Sequence, residues 1–280
     1  MKYHIKKNTV QETLIIPLYA RKMCSELFPS LYHDETAKRL IDKIDYDFSD
    51  NAKKSGSLMQ KFGFLEVAMR QNDLAWEVRD YLKTHPNAAV VNLGCGLDNT
   101  GIQCDNGSCK IYNLDFPDVI AVRNKLLPAE EREENIACDL NDTDWFENID
   151  ASGGAIFFAA GVFYYFFAEQ VRSLAQAMAK AFPGGRLVFD AAGKSAVRLI
   201  RKTWIKTAKI KDVSAYFSVS DAKKELSAWS DNISVSSRGY MLGYYDLKDP
   251  SVSKFFRFLA KVGDGMMKMK IVRLDFGGTL

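Results

Sequence analysis

Val90-Val91-Asn92-Leu93-Gly94-Cys95-Gly96-Leu97-Asp98 is the stretch that decides the fold, and after a helix-like segment it is followed by Ile111-Tyr112-Asn113-Leu114-Asp115. Each stretch begins as an apolar run; the first breaks into Gly-x-Gly and the second ends in an acid. Glycine permits a tight turn and a close approach of the backbone to a ligand, and the acid can accept hydrogen bonds from both ribose hydroxyls. The pattern predicts the front half of a doubly wound nucleotide-binding sheet, with Gly94, Cys95, Gly96 and Asp115 at a cofactor.

The form of the glycine motif separates two cofactors. A dinucleotide fingerprint requires a third glycine three residues after the second, and this chain has Asn99 at that position. A single Gly-x-Gly suits S-adenosylmethionine (SAM) better than a dinucleotide. The alternative for the motif taken alone is an ordinary strand–turn–helix junction without a ligand.

Composition narrows the class of protein. The chain has 280 residues, 47% of them hydrophobic, so it can bury a sizeable core, and its net charge of +3 indicates neither a nucleic-acid-binding stripe nor a basic membrane patch. We find no signal peptide and no apolar run long enough to span a membrane. Five cysteines without a Cys-x-x-Cys pair, and three scattered histidines, favour a reducing cytoplasm and no metal site.

The apolar pattern predicts an α/β protein. After residue 85, short apolar runs alternate with helix-like segments, which is typical of a parallel sheet with helices on both faces. The predicted strands are 88–93, 110–114, 135–138, 155–159, 186–189, 233–237 and 270–276, seven in all. Late helices are predicted over 195–209, 221–229 and 249–267.

The first 85 residues have a different pattern. Helical spacing of apolar residues covers 13–28, 35–44 and 64–82, and the polar segment 45–57 suits a mobile connection. We therefore predict a helical cap and lid over 1–85 and a cofactor-binding core over 86–280, forming one continuous structural unit.

Two further side chains are candidates for cofactor binding. Asp139, which with Leu140 follows the third predicted strand, can accept a hydrogen bond from the adenine amino group while Leu140 packs against the ring; the alternative is a helix cap. Arg70 is embedded in apolar helical sequence, and its planar guanidinium can bind the carboxylate of SAM. The alternative is a surface arginine whose aliphatic carbons cover apolar neighbours.

An aromatic block, 157–167, surrounds the end of the fourth predicted strand. Its first residues are expected in the core. Beyond Gly161 the chain should reach the active edge of the sheet, where Tyr164 or Tyr165 could line an acceptor pocket or face the sulfonium of SAM.

Several motifs together resemble the leucine carboxyl methyltransferase family, and within it the bacterial branch of polyketide O-methyltransferases. The resemblance covers roughly residues 10 to 278, and its most specific block is Leu114-Asp115-Phe116-Pro117-Asp118-Val119-Ile120. The other matching blocks are Glu12-Thr13-Leu14-Ile15-Ile16-Pro17-Leu18-Tyr19-Ala20, Asn92-Leu93-Gly94-Cys95-Gly96-Leu97-Asp98, Ala160-Gly161-Val162-Phe163-Tyr164-Tyr165-Phe166, Phe182-Pro183-Gly184-Gly185 and Val272-Arg273-Leu274-Asp275-Phe276.

The resemblance implies a Rossmann-like class I methyltransferase with a seven-stranded, mostly parallel sheet and an antiparallel last strand. By the same resemblance, Arg70 would hold the SAM carboxylate and the backbone of 94–96 its amino-acid end. Asp115, with Phe116 after it, would bind the ribose, and Asp139 and Leu140 would contact adenine.

Two departures from the family pattern concern the site. The family commonly has Gly-Leu-Asp-Thr-Arg where this chain has Asn99-Thr100, so a basic group near the site is expected to be lost. The usual glutamate of the aromatic block is Ala160, whose backbone alone can line the cofactor.

The predicted reaction is transfer of a methyl group from SAM to an oxygen, leaving S-adenosylhomocysteine. The acceptor is a small-molecule or peptide carboxylate, or otherwise a phenolic hydroxyl of a polyketide-like compound. A carboxylate needs no general base because it is ionised at neutral pH. Two alternatives remain, a SAM-binding protein without catalysis and an NAD-dependent oxidoreductase.

Overall fold

A seven-stranded sheet forms the centre of the protein in a computed structural model that describes residues 2–5, 13–49, 56–200, 216–245 and 247–277. The strands are β3 (Ala89–Leu93), β4 (Lys110–Asp115), β5 (Glu133–Ala137), β6 (Ala155–Ala159), β7 (Arg186–Ala191), β8 (Ile233–Gly239) and β9 (Lys270–Phe276). Their order in the sheet is β5-β4-β3-β6-β7-β9-β8. Strands β3 to β7 are parallel, and β9 runs antiparallel between β7 and β8. The predicted fold class is confirmed.

Helices flank the sheet and precede it. They are α1 (Ile15–Leu27), α2 (Glu35–Lys43), α3 (Leu58–Leu82), α4 (Thr100–Gln103), α5 (Pro117–Leu126), α6 (Ala168–Ala181), α7 (Lys194–Ile200), α8 (Ala222–Leu226) and α9 (Lys254–Gly265). A small parallel pair, β1 (Tyr3–His4) with β2 (Ile44–Asp45), lies outside the main sheet. Two-residue strands leave no periodic pattern, so the sequence did not predict this pair. In the part of the chain that the structure describes, no helix is long and apolar enough to cross a membrane.

The central strands are buried on both faces. Every residue of β3 and of β6 is buried, which explains why these strands read as continuous apolar runs. Helix α3 covers one face, where its apolar side chains share a hydrophobic cluster with Val90, Ile111 and Phe158 of the sheet. The last helix of the predicted cap therefore belongs to the same core as the sheet.

Local capping shifts two helix boundaries from their predicted positions. Helix α3 begins at Leu58, earlier than predicted, because the Ser57 side chain accepts a hydrogen bond from the Gln60 amide at 3.2 Å. Helix α9 begins at Lys254, later than predicted, because Ser253 caps it through the Phe256 amide. Residues 201–209 of the predicted helix 195–209, and residues 50–55 of the predicted connection, lie outside the described residues.

The strand order places the candidate site. Strand β3 is paired on one side with β4 and on the other with β6, so the chain's direction of winding reverses at β3. In open parallel sheets, ligands bind beyond the carboxyl ends of the strands at such a reversal. The glycine motif directly follows β3 and therefore lies at this position.

Candidate cofactor and active site

A cavity of about 360 Å³ opens at the carboxyl edge of the sheet, between α1 and the ends of β3, β4 and β6. This volume is within the range of small-molecule sites. Most of the predicted site residues line it, namely Arg70, Gly94, Cys95, Gly96, Asp115, Phe116, Leu140, Ala160 and Tyr165. Two predicted residues, Asp139 and Tyr164, are not part of its wall.

The glycine motif forms a sharp turn after β3. Gly94 and Gly96 have φ angles of 65° and 48°, in the left-handed region that glycine adopts without strain. A Cβ on Gly94 would lie 2.6 Å from Cγ2 of Val162, so a larger residue would collide with the turn after β6. The turn is also tied to β4, since the Cys95 amide donates to the Leu114 carbonyl at 2.9 Å. The loop backbone is thus fixed where it faces the cavity.

Asp115 ends β4 at the cavity wall. Its two carboxylate oxygens each accept one backbone hydrogen bond, Oδ2 from the Gly96 amide and Oδ1 from the Phe116 amide, both at 2.8 Å. Each oxygen has room for a second donor. Burial raises the pKa of this carboxyl, and the two amides oppose the rise. The arrangement suits a pair of adjacent hydroxyl groups, such as those of a ribose.

Arg70 is carried by α3, and its side chain forms part of the cavity wall. Its Nη1 lies 3.3 Å from Oδ2 of Asp190, and its Nε is buried with no hydrogen-bond partner. Burial works against the charge, but the Asp190 carboxylate outweighs it and holds the pKa of Arg70 above its usual value. The guanidinium of Arg70 can lie close to the backbone at position 161 because this residue is glycine, with a φ of 73°. A Cβ there would lie 2.5 Å from Nη1 of Arg70. The structure therefore places a charged arginine at the cavity rather than on the outer surface.

The segment after β5 reaches the cavity through Leu140. This side chain is buried in the cavity wall, which also includes Cys138 and Asn141 of the same segment. The Asp139 carboxylate is engaged in a local turn instead, where Oδ1 accepts from the Asn141 backbone amide at 2.9 Å and from its side-chain amide at 2.8 Å. Leu140 can pack against a planar ring, whereas contact of Asp139 with adenine stays a prediction.

The two candidate tyrosines face different surroundings. Tyr165 is 45% exposed and lines the cavity. Tyr164 is buried against Ala196 and Val197, and its hydroxyl hydrogen-bonds to Asp190. The cavity also includes Phe116 and Tyr216, which are 44% and 46% exposed. The mouth of the cavity is thus partly aromatic, and of the two tyrosines Tyr165 is the one that an acceptor can reach.

Two buried arginines that the sequence analysis did not single out support the glycine loop. Arg21 of α1 donates to the Leu97 carbonyl at 3.0 Å and to Asn99 Oδ1 at 3.2 Å. Arg123 of α5 donates from Nη1 to the carbonyls of Gly96, at 3.1 Å, and Asp98, at 2.6 Å. Arg21 also lines the cavity, so a basic group lies near the loop although Thr100 stands where the family resemblance implies an arginine.

Asp98 lies in the glycine loop itself, and the sequence analysis gave it no role. Its carboxylate accepts from Gln71 Nε2 at 2.8 Å, from Asn92 Nδ2 at 2.9 Å and from the Thr100 hydroxyl at 2.8 Å. These partners come from α3, β3 and α4, so Asp98 ties three elements together beneath the cavity. Among the described residues, no group of three or more His, Cys, Asp or Glu side chains could hold a metal ion.

Comparison with known proteins adds two kinds of similarity. Residues 18–179 match the model of the leucine carboxyl methyltransferase family. The tetracenomycin polyketide synthesis O-methyltransferase TcmP of Streptomyces glaucescens is 28% identical to this chain over 188 residues, which are 67% of each protein.

Solved structures show the same fold at low sequence identity. A candidate methyltransferase from Thermobifida fusca is 15% identical, with a TM-score of 0.57 over 93% of this chain and 94% of its own. A DUF574 family protein from Streptomyces avermitilis is 10% identical, with a TM-score of 0.58 over 92% and 97% of the two chains.

Proposed function

Since the chain belongs to the leucine carboxyl methyltransferase family and is a SAM-dependent methyltransferase, we propose that its acceptor is a carboxylate on a small molecule with an aromatic or apolar body. The product of the reaction is then a methyl ester. The family match favours methyl transfer over the two other classes considered, a non-catalytic SAM-binding protein and an NAD-dependent oxidoreductase.

The observation that carries the proposal is the chemistry of the cavity wall. Among the described residues that line it, none is a histidine, lysine or glutamate. Its acids, Asp98 and Asp115, already accept hydrogen bonds from neighbouring groups, and burial raises the pKa of Cys138 to about 12. A wall without a free base suits an acceptor that is already ionised, and carboxylic acids are ionised at neutral pH.

The residues present fit the cofactor. When bound, SAM supplies a methyl group activated by a sulfonium. Arg70, with an unpaired Nε and a single described hydrogen-bond partner, would hold the carboxylate of the amino-acid end. The backbone of Gly94 to Gly96 would face that end, Asp115 would accept from the ribose hydroxyls, and Leu140 would pack against adenine.

The protein's contribution to the reaction is alignment in a largely apolar space. Val162, Tyr165 and Phe166 form part of the cavity wall beside the turn after β6. They would exclude water and hold the acceptor oxygen in line with the methyl group, with the reacting atoms ~3–3.5 Å apart. The exposed ring of Tyr216 would stack on the body of the acceptor, whereas Phe116 would lie with Asp115 at the cofactor.

A phenolic hydroxyl is the second candidate acceptor, and one observation favours it. Glu66 is partly buried on α3, one helical turn before Arg70, and burial raises its pKa to about 7, with Arg70 opposing the rise. A carboxyl with this pKa can accept a proton at neutral pH, but Glu66 is not part of the cavity wall, so the proton of a bound hydroxyl would have to reach it through an intervening group. TcmP, the relative from polyketide synthesis, is an O-methyltransferase, which is compatible with either acceptor.

The pH dependence of turnover separates the two acceptors. With a carboxylate acceptor, we expect kcat/KM to be nearly constant between about pH 6 and 8, and Glu66→Gln to leave it within about twofold, because no proton has to be removed. With a phenol, kcat/KM should rise as Glu66 loses its proton near pH 7, and Glu66→Gln should abolish the rise. Methyl transfer from labelled SAM to matched aromatic acids and phenols measures both. Robust turnover of phenols alone would contradict the carboxylate proposal.

Substitution of Tyr165 by phenylalanine tests the acceptor side of the cavity. The ring is kept and only the hydroxyl is lost, so we expect SAM affinity and melting temperature to stay near those of the unmodified protein. Turnover should fall by roughly fivefold, the equivalent of one hydrogen bond. Tyr164→Phe is the matched control. Because the Tyr164 hydroxyl is buried against Asp190, this variant should lower the melting temperature instead. A lower melting temperature in Tyr165→Phe together with a loss of turnover in Tyr164→Phe would contradict the placement of the acceptor.

A further inference from the structure

Asp190 is a buried carboxylate between two parts of the site. It is the penultimate residue of β7 and is 5% exposed. Its Oδ1 accepts from the Gly161 amide at 2.6 Å, and its Oδ2 lies 3.3 Å from Nη1 of Arg70. Both partners line the cavity, whereas Asp190 stands behind them.

The sheet register places Asp190 beside Ala160. Strands β6 and β7 are parallel neighbours, and Ala159 is paired with Phe189. Strand β6 ends at Ala159, and the same register continued by one residue sets Ala160 opposite Asp190; residues opposite each other in neighbouring strands point to the same face of a sheet. That face is the one covered by α3, which carries Arg70. Asp190 thus puts an acid on this face of the sheet, next to position 160, where the family resemblance implies a glutamate.

Asp190 is also the carboxylate that directly holds the arginine. The other titratable groups near Arg70 in the described structure are Glu66, Tyr164, Tyr165 and Tyr240. None of these four has a described hydrogen bond to the guanidinium. The Tyr240 hydroxyl donates to the backbone carbonyl of Glu66, and the Tyr164 hydroxyl interacts with Asp190 itself.

We propose that Asp190 is a positioning residue for cofactor binding, which orients Arg70 and the Gly161 turn toward the amino-acid end of SAM in place of an acid at position 160. The hydrogen bond to Nη1 leaves the remaining N–H groups of the guanidinium for a ligand carboxylate. The hydrogen bond from Gly161 fixes the turn at its left-handed φ of 73°. Asp190 acts through these two groups and need not touch the cofactor.

Calorimetry on the purified protein tests the proposal with two ligands. S-adenosylhomocysteine has the amino-acid end, and 5′-methylthioadenosine has the same adenosine and thioether without it. For Asp190→Asn we expect about a tenfold loss of affinity for S-adenosylhomocysteine and less than a twofold change for methylthioadenosine. A general structural defect would weaken both ligands and lower the melting temperature, and that result would overturn the proposal.

Two double variants make the test specific. Asp190→Asn combined with Arg70→Ala should bind S-adenosylhomocysteine no more weakly than Arg70→Ala alone, because residues that act through one contact are not additive. Asp190→Asn combined with Ala160→Glu should recover most of the lost affinity, since an acid returns to the same face of the sheet. Additive losses together with no recovery would overturn the proposal. If Asp190→Asn does not fold, Asp190→Glu can be used because it keeps the charge. We expect Asp190→Glu to lower the affinity for S-adenosylhomocysteine and to leave the affinity for methylthioadenosine unchanged.

The inference rests on the proposed contact between Arg70 and the cofactor carboxylate, and it does not depend on the identity of the acceptor. Full affinity for S-adenosylhomocysteine in Arg70→Ala would remove that contact and the inference with it. Lost affinity in Arg70→Ala together with full affinity in Asp190→Asn would overturn only the inference.

Discussion

Replacement of Arg21 by alanine is expected to lower the free energy of unfolding by about 3–5 kcal/mol at neutral pH, because it leaves a buried acid without its cation. Arg21 is 2% exposed and Asp34 is 1% exposed, and Nε of Arg21 donates to Oδ2 of Asp34 at 2.7 Å. The same guanidinium holds the carbonyl of Leu97. Chemical denaturation at pH 7 measures the loss.

The size of this effect should depend on pH. Burial alone would raise the pKa of Asp34, but Arg21 outweighs it and holds the pKa below its usual value of about 4. Asp34 therefore stabilises the unmodified protein above pH 4, and this contribution is lost as the pH falls through its folded-state pKa. In Arg21→Ala the pKa of Asp34 should lie above 4, so the variant loses stability as the pH rises. The difference between the two proteins should be largest near pH 7 and should narrow below pH 4.

Lys22→Ala is the matched control for Arg21→Ala. Lys22 follows Arg21 on α1 and pairs with Glu26 at 2.6 Å, but the Lys22 side chain is 24% exposed and that of Glu26 is 44% exposed. Exposed pairs contribute about 0–1 kcal/mol, so this variant should be nearly as stable as the unmodified protein. Equal losses in the two variants would contradict the role assigned to the buried pair.

The sequence predicted the fold well because the fold depends on local patterns. The last strand, Lys270–Phe276, matches its prediction residue for residue, since the alternation of apolar and polar residues in its sequence is a short-range property. The glycine turn was predictable for the same reason. Strand β5 is the less regular case, because it lies at the edge of the sheet and only its Ile136 is buried; the strand covers Glu133–Ala137 rather than the predicted 135–138.

The polar framework of the site was less predictable because it is made of long-range contacts. Arg21 donates a hydrogen bond to Asn99, which is 78 positions away in the sequence, and Arg70 donates one to Asp190, which is 120 positions away. No periodicity reveals such partners. Arg70 could be singled out because it interrupts an apolar helix. Asp190, like Asp115, follows an apolar strand run, but nothing in the local sequence links it to Arg70. Its role becomes visible only when the register of β6 and β7 places it beside Ala160.

Arg70→Ala and Asp115→Ala are each expected to weaken SAM binding by roughly ten- to hundredfold, since hydrogen bonds to charged groups contribute about 1.5–3 kcal/mol. Their ligand profiles should differ. Arg70→Ala removes the group proposed to hold the amino-acid end, so 5′-methylthioadenosine should bind normally. Asp115→Ala removes the proposed ribose acceptor and frees the amides of Gly96 and Phe116, so every adenosine ligand should bind weakly.

Asp118→Ala supplies the control that makes the Asp115 result interpretable. Asp118 lies three residues further on, in the first turn of α5, and is exposed, so its loss changes the charge near the site without removing a group from the cavity wall. We expect its affinity for SAM to stay within about twofold of that of the unmodified protein. Calorimetric titration of all three variants, with melting temperatures measured in parallel, decides the assignment. Unchanged SAM affinity in Asp115→Ala would exclude the ribose contact. An equal loss in Asp118→Ala would mean that the overall negative charge at this edge of the sheet, rather than the Asp115 carboxylate, controls binding.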